Sequence, residues 1–197
     1  WLYNQVFDMS IYFGKIMKNE EMKKMKRLLI VVDYQNDFVN GSLGFEKAQL
    51  LEEHIIQLIK EYHMNGDEII YTMDTHQQNY LETYEGHHLP VEHCIENTEG
   101  WQLYGKVGEL LQDCLCFKKP TFPSLDLAYY LEDKEYKDIT LVGVVSHICV
   151  LSNAIMAKAA QPDTPIRVDL RGTSSGDEKV HHESIDVMKS MQIEIIE

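Results

Sequence analysis

The sequence predicts a three-layer α/β/α fold on a six-stranded, mostly parallel sheet with helices on both faces. Three observations point to it. After residue 26, strand-like and helix-like stretches alternate six times. No repeat or low-complexity linker interrupts them. The first strand-like run, RLLIVVD (27–33), is almost continuously apolar, as strands buried on both faces are.

The elements follow in order from that run. Residues 46–63 (EKAQLLEEHIIQLIKEYH) place Leu50, Leu51, Ile55, Ile56, Leu58 and Ile59 along one helical face. The turn signal Asn65-Gly66 then separates this helix from a second strand, DEIIYTMD (67–74). An irregular stretch, 75–101, leads to a helix near 103–112 and a short strand over 115–119. A helix near 125–134 precedes the strand DITLVGV (138–144), and another helix starts near Cys149. The strand PIRVDL (165–170), a helix near 178–190 and the strand QIEII (192–196) complete the alternation.

A chain of 197 residues suits one domain and can bury about 70% of the surface its unfolded form exposes. At 44% hydrophobic and 25% charged, it is neither disordered nor collagen-like nor a disulfide scaffold. Lys and Arg number 18 against 32 Asp and Glu, a formal charge of −14. So acidic a surface repels phosphate backbones and anionic lipid, and neither nucleic acid nor membrane is an expected partner. The four cysteines (Cys94, Cys114, Cys116, Cys149) form no CxxC and no paired spacing. That pattern fits free thiols in a reducing cytoplasm, the expected location. Residues 1–24 break in character from the rest and carry no small-residue cleavage site. They are expected to be an N-terminal extension outside the core, with residues 25–197 forming one domain.

In open sheets of this kind ligands sit at the carboxyl ends of the strands, and reactive residues collect there. The first strand ends in Asp33, the second in Asp74-Thr75-His76, and the third in Lys118-Lys119. The fourth runs through Ser146-His147-Ile148 into Cys149 at the start of a helix. Singly, Asp33 reads as a turn residue, Lys119 as a surface lysine and Cys149 as a core thiol. Together they set an acid, a base and a nucleophile at one rim.

Four ordered motifs carry a family resemblance: VVDYQNDF (31–38), YTMDTH (71–76) with LPVEHC (89–94), KPTFPSL (119–125) and GVVSHICV (143–150). With them, residues 26–197 resemble the nicotinamidase/isochorismatase-like cysteine hydrolases. The resemblance implies the family's isochorismatase-like fold with Rossmann-like strand order, and a catalytic triad of Asp33, Lys119 and Cys149. It also implies an oxyanion hole from the backbone N–H groups of Val145 and Cys149, beside an unusual cis peptide bond at Val144–Val145. A metal site of Asp74, His76 and His93 follows from it, with Glu85 as fourth ligand among a loop's several candidates. Such donors suit one divalent ion, zinc first and manganese or iron as alternatives.

The chemistry these residues can perform is amide hydrolysis. A helix N-terminus and a nearby ammonium favour the Cys149 thiolate. Asp33 can take the thiol proton and return it to a leaving amine. Phe38 and Phe122 can wall a planar ring. The expected substrate is a small-molecule amide, nicotinamide first, and the expected assembly a homo-oligomer. Two features keep other readings open. Leu89-Pro90-Val91-Glu92 lacks the aromatic that the family's nicotinamidases often place before the last histidine ligand, and Ser146-His147 replaces the usual Thr-Asp. Hydrolysis of another small amide or carbamoyl compound, an isochorismatase-type reaction, or a non-catalytic binding module are the alternatives.

Overall fold

A computed structural model describes residues 25–197; the proposed extension, residues 1–24, lies outside the described residues. Six strands form one sheet in the order β3-β2-β1-β4-β5-β6, with every neighbouring pair parallel. They are β1 (Leu28–Val32), β2 (Glu68–Asp74), β3 (Leu115–Lys119), β4 (Ile139–Val144), β5 (Ile166–Ser174) and β6 (Glu194–Ile196). The helices are α1 (Asn36–Val39), α2 (Glu46–Leu50), α3 (Glu52–Met64), α4 (Tyr84–His88), α5 (Gly105–Leu110), α6 (Leu125–Glu132), α7 (Leu151–Ala160) and α8 (Glu178–Ser190).

Side chains alternate across a strand, so β1 feeds two cores at once. Leu28, Ile30 and Val32 join Leu127 and Leu131 of α6, Ala154 and Ala157 of α7 and Met188 of α8. Leu29 and Val31 join Ile55, Ile56, Ile59 and Tyr62 of α3 and Val107 of α5. All five residues of β1 and all six of β4 are buried, as a sheet covered on both faces requires.

Several expected boundaries shift. The helix expected over 46–63 is two, α2 and α3, meeting at Leu51. Leu50, placed on the apolar face by periodicity, is 73% exposed, because the buried stripe runs through Leu51, Ile55, Ile59 and Tyr62. The helix near 103–112 contracts to α5. The stretch 75–101 contains a 3-10 turn (Tyr80–Glu82) and α4, and the short α1 was not foreseen. The last strand starts at Glu194 rather than at residue 192.

β5 departs most from expectation, reaching Ser174 instead of residue 170. Between Leu141 and Gly143 on β4, the partner on β5 moves from Val168 to Thr173, so the longer strand bulges. A composition of Asp-Leu-Arg-Gly hides such an irregular continuation, because the bulge residues need not alternate. Gly143 sits opposite Val32 with φ +111°, and a Cβ there would lie 2.0 Å from the Val32 carbonyl oxygen. Only glycine lets β4 pass so close to β1, and the pass brings the segment after β4 beside Asp33.

Candidate active site

Three of the expected side chains meet at the carboxyl edge of the sheet. Asp33 follows β1 in a left-handed conformation (φ +48°), which a short polar side chain tolerates better than most. Lys119 ends β3, and Cys149 lies in a π turn (Ser146–Val150) that runs into α7. Lys119 Nζ is 2.6 Å from Asp33 Oδ2 and 3.7 Å from Cys149 Sγ, and it donates to the Thr121 carbonyl at 3.0 Å. Thr72 Oγ1 donates to Asp33 Oδ1 at 2.7 Å. All three groups are buried.

Burial pushes the Asp33 carboxyl up and the Cys149 thiol well up, while the Lys119 ammonium pulls both down. The thiol therefore sits above its ordinary range, where helix N-terminus and ammonium alone were expected to lower it. Burial also opposes the Lys119 charge, but Asp33, Cys149 and Asp74 together hold that charge firmly in place. A carboxylate and a thiolate are not both welcome in so dry a site. One proton shared between Asp33 and Cys149 leaves the sum of charges over the three groups unchanged wherever it sits.

A second cluster adjoins the first. Asp74, His76, Glu85 and His93 each offer a ligand atom, and these atoms lie within 4.8 Å of one another. His76 Nε2 is 3.0 Å from Asp74 Oδ2 and 3.7 Å from Glu85 Oε1; His93 Nε2 is 3.4 and 3.6 Å from the same two oxygens. His93 Nδ1 lies 2.8 Å from the Val91 carbonyl, so it carries the proton and leaves Nε2 free to ligate. Two imidazole nitrogens and two carboxylate oxygens facing one point fit a divalent ion. Burial opposes the Asp74 charge, yet the two histidines and Lys119 keep its carboxyl well below the usual carboxylate range.

The loop between β2 and β3 is held by residues to which sequence reasoning gave no role. Buried Gln35 donates from Nε2 to the carbonyls of Asp74 (2.9 Å) and Trp101 (2.8 Å) and accepts from Asp74 N–H at 2.8 Å. Asp37 Oδ2 accepts from Cys94 N–H at 2.7 Å, fixing the residue after His93. The ring of Tyr80 packs 4.7 Å from His76 and 4.9 Å from His93, centre to centre. Gln35 and Asp37 stand inside the VVDYQNDF motif, which was the available signal; Tyr80 had none.

The two proposed ring-binding residues part company. Phe38 is half-buried and lies 5.5 Å from the His93 ring, at the edge of the ligand cluster. Phe122 is 43% exposed. A cavity of about 350 Å³ opens beside His76 and Glu85, bordered also by Thr75, Gln77, Tyr84 and Thr121; neither phenylalanine lines it. The peptide bond Val144–Val145 is cis, just before the π turn. In that turn Ser146 Oγ is 2.8 Å from His181 Nδ1 of α8. Burial lowers the His147 imidazole, with Asp177 opposing, so this replacement for an acid stays neutral. Among the described residues no helix is long and apolar enough to cross a membrane, and the four cysteines are free.

The family model of the isochorismatase domain matches residues 27–197. An uncharacterized isochorismatase family protein of Bacillus subtilis (strain 168), PncA, is 35% identical over 145 residues, 68% of this chain and 79% of that protein. The nicotinamidase of Saccharomyces cerevisiae is 25% identical over 215 residues, covering 87% of this chain and 99% of its own. The crystal structure of nicotinamidase/pyrazinamidase PncA from Bacillus subtilis superimposes with a TM-score of 0.78 at 27% identity, over 88% of this chain and 100% of that one.

Proposed function

The chain belongs to the isochorismatase family, and from that premise we propose that it is a cysteine amidohydrolase converting nicotinamide and water to nicotinate and ammonia. One observation carries the reading. Asp74 faces both clusters, with Oδ2 toward the two histidines and Oδ1 3.4 Å from Lys119 Nζ. A ring held at the ligand cluster therefore has its substituent within reach of the thiol.

A divalent ion bound by Asp74, His76, Glu85 and His93, zinc first on donor chemistry, would hold a pyridine nitrogen and orient the ring. Every other part falls to the chain. Asp33 takes the Cys149 proton as sulfur attacks the amide carbon, and Lys119 keeps the neighbouring charge compensated. Backbone N–H groups of Val145 and Cys149 receive the developing oxyanion. Asp33 returns the proton to the departing nitrogen, ammonia leaves and a thioester remains. Asp33 then activates water, which cleaves the thioester and frees nicotinate with the thiol restored. Phe38, beside His93, supplies one wall for the ring, and Phe122, on the segment after Lys119, is assigned the outer wall.

Ammonia release from nicotinamide by the purified chain, read beside a panel of small amides, tests this. A second reading, hydrolysis of a different small amide, is favoured by the missing aromatic at 89–92 and by hydroxyl and amide groups on the cavity (Thr75, Gln77, Thr121). Faster turnover of an aliphatic or carbamoyl member of the panel would select it.

A further inference from the structure

The catalytic reading uses Cys149 and Lys119, which lie on different elements, and something must hold those elements in register. Asn153, fully buried on the first turns of α7, touches both. Its Nδ2 donates to the Cys149 carbonyl at 2.8 Å and to the Phe122 carbonyl at 3.0 Å, and its Oδ1 accepts from Ser124 N–H at 3.0 Å. One amide thus joins the nucleophile's own carbonyl to the segment that follows Lys119. Lys119 grips the same segment through Thr121 O, and Ser124 caps α6 by accepting from Leu127 N–H at 3.1 Å.

We propose that Asn153 is a positioning residue that sets the separation of Cys149 and Lys119. It touches no reacting atom. The Cys149 carbonyl has a second donor, Ser152 Oγ at 3.2 Å, so the contact that Asn153 alone provides is the bridge to Phe122 and Ser124. Buried and with all its polar atoms engaged, the side chain has one arrangement that satisfies every partner, which is what a spacer between two reactive groups needs. Loss of the bridge lets the 120–124 segment and the π turn move independently. The ammonium then compensates the thiolate less, and the carbonyl of a bound amide meets a less ordered sulfur. The inference rests on the reading that Cys149 and Lys119 act together.

The test compares wild type, Asn153→Ala, Asn153→Ser and Gln161→Ala as full chains. Serine can still bond the carbonyl four residues back but cannot span the bridge, and it guards against an alanine variant that does not fold. Gln161 is the control, a buried amide at the other end of α7. It bonds the Leu131 carbonyl and, at 2.7 Å, that of Lys134, away from the site. Three quantities are read: melting temperature, kcat and KM on nicotinamide, and the pH profile of Cys149 alkylation by iodoacetamide, resolved by peptide mass. Both Asn153 variants are expected to lose about ten- to a hundredfold in kcat with KM little changed, and to shift the alkylation profile to higher pH. Gln161→Ala is expected to lose melting temperature alone. Alkylation profiles of both Asn153 variants that overlay wild type, or an equal kinetic loss in Gln161→Ala, would overturn the inference. Wild type inactive on nicotinamide, with the alkylation shift confined to the Asn153 variants, would overturn the substrate reading and uphold the positioning role.

Discussion

At the scale of single residues, the site depends on keeping one proton between two acids that burial has raised together. Asp33 and Cys149 share one ammonium, so the neutral arrangement is either carboxylate with thiol or carboxylic acid with thiolate. Cys149→Ala should abolish turnover with the melting temperature preserved, since the side chain is small and its neighbours stay paired. Asp33→Asn should keep substrate binding and lower kcat by about 10²–10⁴-fold, the usual worth of a positioned base. Steady-state kinetics of the two variants decide it, and full activity in either would end the scheme. Much of this was readable in sequence, because Asp33, Lys119 and Cys149 stand at strand ends, where a parallel sheet gathers its ligands. Gln35, Thr72 and Asn153 were not. Their work is hydrogen bonding across tens of residues, and nothing in local pattern distinguishes such a buried amide or hydroxyl from an exposed one.

At the scale of elements, hydrophobic period located every strand and each longer helix, because each buries a face that the period describes. It failed where the chain serves geometry instead of burial: α1, the 3-10 turn, α4 and the bulged half of β5. That bulge has its own support. Asp169, buried on β5, accepts from Arg171 Nη2 at 2.9 Å and lies 2.9 Å from His54 Nε2 on α3. Burial opposes the Asp169 charge, but the bonds from Arg171 and His54 win and its pKa falls below the ordinary value. A depressed carboxylate stabilises the fold above its unfolded pKa of about 3.9, and that stabilisation is lost as pH falls through the lower folded value. Asp169→Asn should therefore lower the melting temperature at pH 7, and the difference from wild type should shrink below about pH 4. Thermal melts across that range check it; a difference independent of pH would contradict the ion-pair account.

At the scale of the whole molecule, the parallel sheet brings residues from opposite ends of the domain to one rim, so that two clusters share Asp74. The resemblance of four short motifs foretold both clusters, since each motif falls at a strand end or on the loop beside it. It could not show that the clusters touch, because that follows from the register Asp74↔Lys119 between β2 and β3. Protein purified without added metal should carry about one divalent ion per chain by elemental analysis. Chelation should remove activity, and re-addition should restore it. Substoichiometric metal with chelator-resistant turnover would sever the ligand cluster from the reaction.

The most direct measurement of the central claim, a ring held at the ligand cluster while Cys149 attacks its amide, is kcat/KM for nicotinamide against benzamide. The two differ by the ring nitrogen alone, so the comparison isolates the contact that orients the carbonyl. A fall of at least about tenfold from nicotinamide to benzamide is expected. Equal values would mean that the ring nitrogen has no partner at Asp74, His76, Glu85 and His93, and the account of the site would be wrong.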